Sequence, residues 1–480
     1  MNSLIQNLAN VTETENGALS NASTLSAALD FFGQGGAVRT LTEAQIISLF
    51  KKAFYENRAV ALKTLFYFRD VRGGQGERRT FRILLKWLAN EESDLVRKNL
   101  ANVAFYGRFD DLLCLLDTEL NGDVCHLIKN QLEKDIDSER PSLLAKWLPS
   151  ENASSTATRV SARRLINIFG TTPRAYRKLL SELRSRIDVV ERKMCAQEWE
   201  YINFENVPSK AATNYRDAFK KHEAQRYAEY LSAVESGNAD IKAKTLYPYE
   251  IIRQVELKGY AEDKTLDLQW KALPDYLAGN PHNGIVVADV SGSMYGLPMQ
   301  ISISLAIYFA ERNRGEFRNR FITFSMTPEL QTVKGKNISE KAENLSRAEW
   351  NGNTNLQAVF DLILNTAVRH EVPQKDMPNA IYVVSDMEFD TACSNNSNTN
   401  LEVIQTKYQL AGYKMPRLIF WNVNARNAQF PIVMKDKNVQ LVSGASPAIL
   451  KTLLEGKNLS AYDLMMSVVN SPRYSKIYTK

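Results

Sequence analysis

Gly284-Ile285-Val286-Val287-Ala288-Asp289-Val290-Ser291-Gly292-Ser293-Met294 decides how the C-terminal part of this chain folds. Four apolar residues run straight into an acid, a glycine and two hydroxyls. An unbroken apolar run of this kind is the pattern of a strand buried on both faces, as in a parallel sheet. The polar cluster then falls at the strand's carboxyl end, where open α/β sheets bind their ligands. Asp289, Ser291 and Ser293 alternate, so an extended loop aims all three side chains at one point. Hard oxygen donors converging in this way suit Mg²⁺ or Mn²⁺ and not a soft metal.

Downstream, strand and helix patterns take turns from about His282 onward. The strand Ile285–Ala288 is followed by a helix near Pro298–Glu311 and a strand at Arg320–Phe324. A helix at Leu356–Val368, a strand at Ile381–Ser385 and a helix near Leu401–Leu410 come next. Arg417–Val423 and Val439–Val442 read as strands, and Pro447–Leu454 as a closing helix. Strands alternating with helices predict a doubly wound parallel sheet with right-handed crossovers.

Upstream the rhythm is helical. A capping box at Thr42-Glu43-Ala44-Gln45 opens the first clear helix. Phe81, Leu84, Leu85 and Leu88 recur at helical spacing, as do Tyr176, Leu179, Leu180, Leu183 and Ile187 behind Thr172 and Pro173. Consecutive helices with short polar breaks predict a HEAT-like helical-repeat array or an irregular bundle, without a crisp sequence period. The expected fold class is therefore multidomain, an all-α region followed by an α/β domain. Its parts are a polar, loosely held leader at 1–40, a helical-repeat domain at 41–280, a sheet domain at 281–456 and a polar tail at 457–480.

The chain has 480 residues, 44% hydrophobic and 24% charged, the balance of a soluble globular protein with large cores. It lacks an apolar run of membrane-spanning length and a signal-peptide pattern at Met1-Asn2-Ser3-Leu4-Ile5-Gln6. Cys114, Cys125, Cys195 and Cys393 are scattered, which points to buried thiols in a reducing, cytoplasmic setting. The net charge of +6 is too modest to announce a nucleic-acid binder, so any basic surface must be local.

Two local basic features stand out. In Arg69-Asp70-Val71-Arg72-Gly73-Gly74-Gln75-Gly76-Glu77-Arg78-Arg79, a glycine-rich loop opens onto a helix whose N-terminus suits a phosphate, with Arg69, Arg72, Arg78 and Arg79 alongside. The loop lacks the lysine-hydroxyl ending of a nucleotide-hydrolysing P-loop. A solvated helix face after a flexible turn explains the same composition. The second feature is the run from Arg159 to Lys221, with Arg163, Arg164, Arg174 and Arg177 among many cations and Tyr176, Trp199, Tyr201 and Tyr215 interleaved. Cationic helices with exposed aromatics grip RNA phosphates and stack bases. Charged helix faces over aromatic cores are the competing account.

The pattern Asp289-Val290-Ser291-Gly292-Ser293 resembles the metal-ion-dependent adhesion site of von Willebrand factor A domains. That family adds a threonine and an aspartate from later loops. Thr354, in the polar turn Asn351-Gly352-Asn353-Thr354-Asn355, and Asp386, ending Ala380-Ile381-Tyr382-Val383-Val384-Ser385-Asp386, fall after fitting elements. The resemblance implies a bound Mg²⁺ or Mn²⁺ held directly by Ser291, Ser293 and Thr354, with Asp289 and Asp386 acting mostly through water. It also implies that a partner's acidic side chain completes the coordination.

The whole chain is similar to a family of phage and plant proteins known as a domain of unknown function. The stretches that carry this likeness are the Arg69–Arg79 loop, Trp147-Leu148-Pro149, Val207-Pro208-Ser209, Asp289–Met294, Phe420-Trp421-Asn422-Val423-Asn424 and Leu441-Val442-Ser443-Gly444-Ala445-Ser446-Pro447. More distantly, helical repeats followed by an A domain resemble the architecture of the Ro autoantigen, or TROVE, proteins. That likeness implies a cytoplasmic, Ro-like ribonucleoprotein component binding small non-coding or structured RNA, with Arg72, Arg78, Arg79, Arg163, Arg164, Arg174 and Arg177 on the phosphates. The alternative is a protein-interaction scaffold whose Mg²⁺-loaded A domain captures an acidic partner without RNA. No defensible Ser/His/Asp or Cys/His set is present, so an enzyme is not expected.

Overall fold

The computed structural model describes residues 10–187, 189–279, 283–325, 327–347, 354–391, 398–455 and 460–480. The expected boundary at 280/281, the turn residues 351–353, Cys393 and the start of the tail at 457 lie outside them. The chain forms two compact units. One gathers residues 1–64, 73–75 and 243–472, and the other gathers 65–72, 76–242 and 473–480.

The first unit is built on a six-stranded sheet: β3 (Gly284–Ala288), β4 (Arg320–Thr323), β5 (Leu330–Thr332), β6 (Ala380–Ser385), β7 (Arg417–Asn422) and β8 (Val439–Ser443), ordered β5-β4-β3-β6-β7-β8. All neighbours are parallel except the β4–β5 pair. β3, β6 and β8 are buried at every residue, which is why their sequences show no polar alternation. β5 was not expected: its three residues carry no apolar run and lie along an edge, where pairing from one side suffices. The chain passes from β3 outward to β4 on one side and to β6 on the other, so a topological switch point lies between β3 and β6.

Phe309, on the helix Leu297–Arg312, packs on Tyr382 and Trp421, with ring centroids 4.4 and 5.9 Å apart. Strand alternation turns Phe420 and its lateral neighbour Leu441 to the opposite face. There residues 10–40 of the expected leader make their contacts, and they are not loosely held. The hairpin of β1 (Val11–Glu13) and β2 (Leu19–Asn21) bridges Asn21 to Phe430 with backbone bonds of 3.0 and 2.8 Å. The helix Ala27–Gln34 follows, and a methyl added at Gly33 would lie 2.3 Å from Leu441 Cδ2. The Gly36 amide donates to Ser443 Oγ at 3.0 Å, and a Cβ there would meet the Ser443 carbonyl at 2.8 Å. The Asn/Ser/Thr/Gly-rich composition thus reflects hairpin turns and close backbone approach. Gly36→Ala is expected to destabilise this unit by about 1–3 kcal/mol through overpacking. Urea unfolding reads the loss, and an unchanged midpoint would mean that the segment packs loosely.

The second unit is helical. Its main helices span Arg79–Glu91, Ser93–Tyr106, Asn121–Asp137, Thr156–Phe169, Pro173–Arg186, Ser209–His222 and Ala224–Glu235. They pack chiefly on neighbours in sequence. Thr172 caps the Pro173 helix through the Ala175 amide, and in the first unit Thr42 and Gln45 close a capping box. The end of the expected polar tail belongs to the helical unit. Asn99, Asn102 and Tyr106, along one face of Ser93–Tyr106, bond the backbone carbonyls of Tyr478, Lys476 and Arg473 at 2.8, 2.9 and 2.6 Å. Asp70 is fully buried against Arg473 and the Tyr474 hydroxyl. The rest of the tail contributes the helix Ala461–Val469, with Leu464, Met465 and Val469 buried.

Candidate functional site

Asp289 stands one residue beyond β3, where its amide still bonds the Val384 carbonyl at 3.1 Å. Its side chain is wholly buried. Oδ1 accepts the Ser291 amide at 2.9 Å, and Oδ2 accepts the Ser385 hydroxyl at 2.6 Å. The chain then makes a short 3-10 turn over Gly292–Met294 that brings the Ser291 and Ser293 hydroxyls within 3.1 Å of each other. Gly296, at φ 86 and ψ −131, turns the backbone into the helix Leu297–Arg312, a conformation closed to residues with a Cβ.

Asp386 follows β6, the neighbour of β3 across the switch point. Its Oδ1 accepts the Glu388 amide at 3.2 Å, and its Oδ2 accepts Arg426 Nη2 at 3.0 Å. Burial, reinforced by the negative charge of Asp386, pushes the Asp289 carboxyl up to about 6. Thr354 is also buried, beside the loop that follows Asp386. Its hydroxyl donates to the Glu388 carbonyl at 2.8 Å and lies 3.2 Å from Asp390 Oδ1, while Asp390 Oδ2 is buried without a partner among the described residues. The structure therefore brings Asp289, Ser291 and Ser293 into one hydrogen-bonded cluster and sets Asp386 against it electrostatically. Thr354 reaches the cluster through the 386–390 loop. Among the described residues no three His, Cys, Asp or Glu side chains group as a metal cage; the donors are two carboxylates and hydroxyls.

The sequence reading missed Ser385, Arg426, Glu388, Glu15 and Asn16. Arg426 follows β7, so it too sits at a carboxyl end and was legible by the rule that located Asp289. Glu15 and Asn16 carry no such signal, because they reach the site from the far end of the chain.

The arginines of the glycine loop and those expected on RNA sort differently. Arg69 is buried on Asp111 at 2.7 Å, so it is not at the disposal of a ligand. The helix N-terminus after the glycine loop already holds an anion, because Glu77 Oε1 accepts the Arg79 and Thr80 amides at 3.0 and 3.4 Å. Gln75, in the loop itself, is buried and accepts the Ser446 amide at 3.0 Å. That corrects the phosphate reading of this loop. Arg72, Arg78 and Arg79 are exposed, with Arg72 Nη1 on the Phe105 carbonyl at 3.0 Å. Arg164 pairs with Asp117, and Arg177 with Glu151 at 2.6 Å. Arg163 and Arg174 are exposed without a side-chain partner among the described residues.

Other cations of the 159–221 run serve the fold. Arg184 bonds the carbonyls of Ala145 and Leu148, Arg186 those of Ile136 and Ser138, and Arg216 is buried on the Thr213 carbonyl. The interleaved aromatics are mostly core: Tyr176 and Trp199 are buried, Trp199 stacks on His222 at 4.0 Å, and only Tyr201 of the four is well exposed.

Fold and site together define a chain with a helical region and a C-terminal domain on a largely parallel sheet, carrying an acid-and-hydroxyl cluster at the sheet's carboxyl edge. The chain belongs to the same family as uncharacterized protein L728 of Acanthamoeba polyphaga mimivirus. The two are 30% identical over 507 aligned positions that cover 96% of this chain and 88% of that one. A domain of unknown function, DUF2828, matches residues 14–140 and 169–280, and a second, DUF7788, matches 283–475. The crystal structure of the Ro (RSR) protein of Deinococcus radiodurans aligns with 93% of this chain and 99% of that one, at 11% identity and a TM-score of 0.38. At that level no residue's role passes from one chain to the other. No helix among the described residues is long and apolar enough to cross a membrane.

Proposed function

We propose that this chain is a non-catalytic binding protein whose sheet domain, of the von Willebrand factor A type, holds Mg²⁺ or Mn²⁺ and captures an acidic ligand with it. The observation that carries this reading is the pair of buried carboxylates, Asp289 and Asp386, beside the paired Ser291 and Ser293 hydroxyls at the switch point. A buried carboxyl whose proton affinity is raised by burial and by a second buried acid is an environment a cation relieves. The donor set is hard oxygen throughout, which suits Mg²⁺ or Mn²⁺. Ser291, Ser293 and Thr354 would bond the ion, Asp289 and Asp386 would orient the hydroxyls and waters around it, and an incoming carboxylate would take the remaining position. Two acids with hydroxyls differ from the carboxylate clusters of paired-metal hydrolysis. The three described cysteines are free thiols, which fits a cytoplasmic setting.

Titration of the purified chain with Mg²⁺, read by calorimetry and thermal melting, tests this. At about a hundredfold over Kd the ion should add about 2.7 kcal/mol of stability. A melt indifferent to Mg²⁺ and Mn²⁺ would sink the proposal.

A second reading is binding of small structured or single-stranded RNA by the helical unit, in the manner of Ro proteins. It is favoured by the exposed Arg72, Arg78 and Arg79 and by Arg163 and Arg174, which have no side-chain partner among the described residues, with Arg164 and Arg177 in partly exposed ion pairs that a phosphate can displace. Affinity for a labelled RNA hairpin should fall with salt, and an Arg163→Ala/Arg174→Ala variant should flatten the salt slope by roughly 1–2. Binding that ignores salt, or no binding at low salt, leaves the cation reading alone.

A further inference from the structure

The mouth of the switch-point crevice is built in part by the N-terminal hairpin. At its tip Thr14 Oγ1 donates to the Phe389 carbonyl at 2.6 Å, and the Glu15 amide donates to Glu388 Oε2 at 2.8 Å. Asn16 Nδ2 bonds the Glu388 carbonyl at 2.7 Å and Thr354 Oγ1 at 3.2 Å. This tip presents the Glu15 carboxylate to Arg426, whose Nη1 lies 2.7 Å from Glu15 Oε2 while its Nη2 holds Asp386. Arg426 Nε is buried with no partner among the described residues, so the guanidinium has donor capacity left over. Asp386 is inaccessible, whereas the Glu15 side chain is 45% exposed. One guanidinium therefore joins a buried acid of the candidate cation site to an exposed carboxylate supplied by the chain itself.

We propose that Arg426 is the residue that recognises the acidic ligand, and that Glu15 occupies the ligand's place when none is bound. This rests on the cation reading for the ligand's chemistry. A planar guanidinium with one edge anchored on Asp386 is pre-oriented for a carboxylate on the other. An ion pair open to solvent on its Glu15 side is weakly held, so a carboxylate that also gains the cation displaces Glu15 readily. Asn427 keeps the exchange local: its Nδ2 bonds both Glu15 Oε1 and Glu388 Oε1, at 2.8 and 3.0 Å, and retains Glu388 when Glu15 leaves. The ligand class that follows is a flexible acidic peptide able to reach past the hairpin tip.

The test uses the full chain, a fluorescein-labelled hexaglutamate peptide, and anisotropy with and without Mg²⁺. Glu15→Gln preserves the side chain's shape and should tighten peptide binding by about two- to fivefold. In an Arg426→Gln background the same change should have no effect, because nothing remains to be released. Unchanged or weaker binding by Glu15→Gln, in a variant that melts like wild type, overturns the inference, as does a wild-type chain and a variant that both ignore the peptide. Tightening that persists without Mg²⁺ supports Arg426 as the recognition group and removes the cation reading. Calorimetric Mg²⁺ binding without tightening does the reverse.

Discussion

Replacing Asp111 with alanine is expected to cost the helical unit about 3–5 kcal/mol, because it strands a buried arginine. Arg69 and Asp111 are 2% and 0% exposed, and Asp111 Oδ2 accepts both Arg69 Nε at 2.7 Å and the Arg108 amide at 2.9 Å. The other oxygen, Oδ1, takes Arg82 Nε at 2.7 Å, and Arg82 continues to Asp110 at 2.8 Å. The carboxylate thus ties the helices carrying Arg69 and Arg82 to the turn at Arg108. The fit leaves no slack: a methyl on Gly107 would sit 2.4 Å from Oδ2. Without the acid, the buried Arg69 guanidinium is left without its carboxylate, whereas Arg82 and Arg108 retain Asp110. Urea unfolding of the variant should show the transition of the helical unit moved to lower denaturant, with the sheet unit's transition in place. A loss below about 1 kcal/mol would mean that Arg69 reaches solvent and that the pair is ornamental.

Asp111 also shows where sequence reading stops. The regular elements announce themselves through local chemistry: the capping box at Thr42, the Thr172-Pro173 start and the continuous apolar runs of β3 and β6 all correspond to elements of the structure. β5 and the β1–β2 hairpin do not, since each strand is three residues long, and Asn21 is held by Phe430, some four hundred positions away. Charge is legible only as a count. The excess of arginine between 159 and 221 resembles a nucleic-acid surface until Arg184, Arg186 and Arg216 are seen ending on main-chain carbonyls. The glycine loop misleads for a related reason, because the helix behind it is capped by its own Glu77. At the sheet's carboxyl edge the positions of Asp289 and Asp386 follow from strand ends alone. Arg426 follows from the end of β7 by the same rule, whereas Glu15, which it meets, comes from a distant hairpin that no local pattern encodes.

Asp289→Asn is expected to raise stability without a divalent ion and to lose that advantage with one. In the metal-free chain the Asp289 carboxyl lies at about 6 against an ordinary 3.8, raised by burial first and by Asp386 second. A carboxyl raised on folding binds its proton more tightly in the native state, so its contribution is full below about pH 4 and is lost as pH rises through about 6. At neutral pH the buried charge therefore costs on the order of 3 kcal/mol. Asparagine removes that charge and keeps the geometry: its oxygen can accept the Ser291 amide, and its nitrogen can donate to Ser385 Oγ. In chelator the variant should be about 1–3 kcal/mol more stable than wild type at pH 7. The difference should vanish below about pH 4, where wild type is neutral as well. Saturating Mg²⁺ should close the gap by stabilising wild type alone, since the amide cannot balance the ion. Denaturant melts across pH, with chelator and with Mg²⁺, separate these effects. A variant weaker than wild type in chelator at pH 7, yet still stabilised by Mg²⁺, would show that Asp289 is a structural acid and that the ion binds elsewhere.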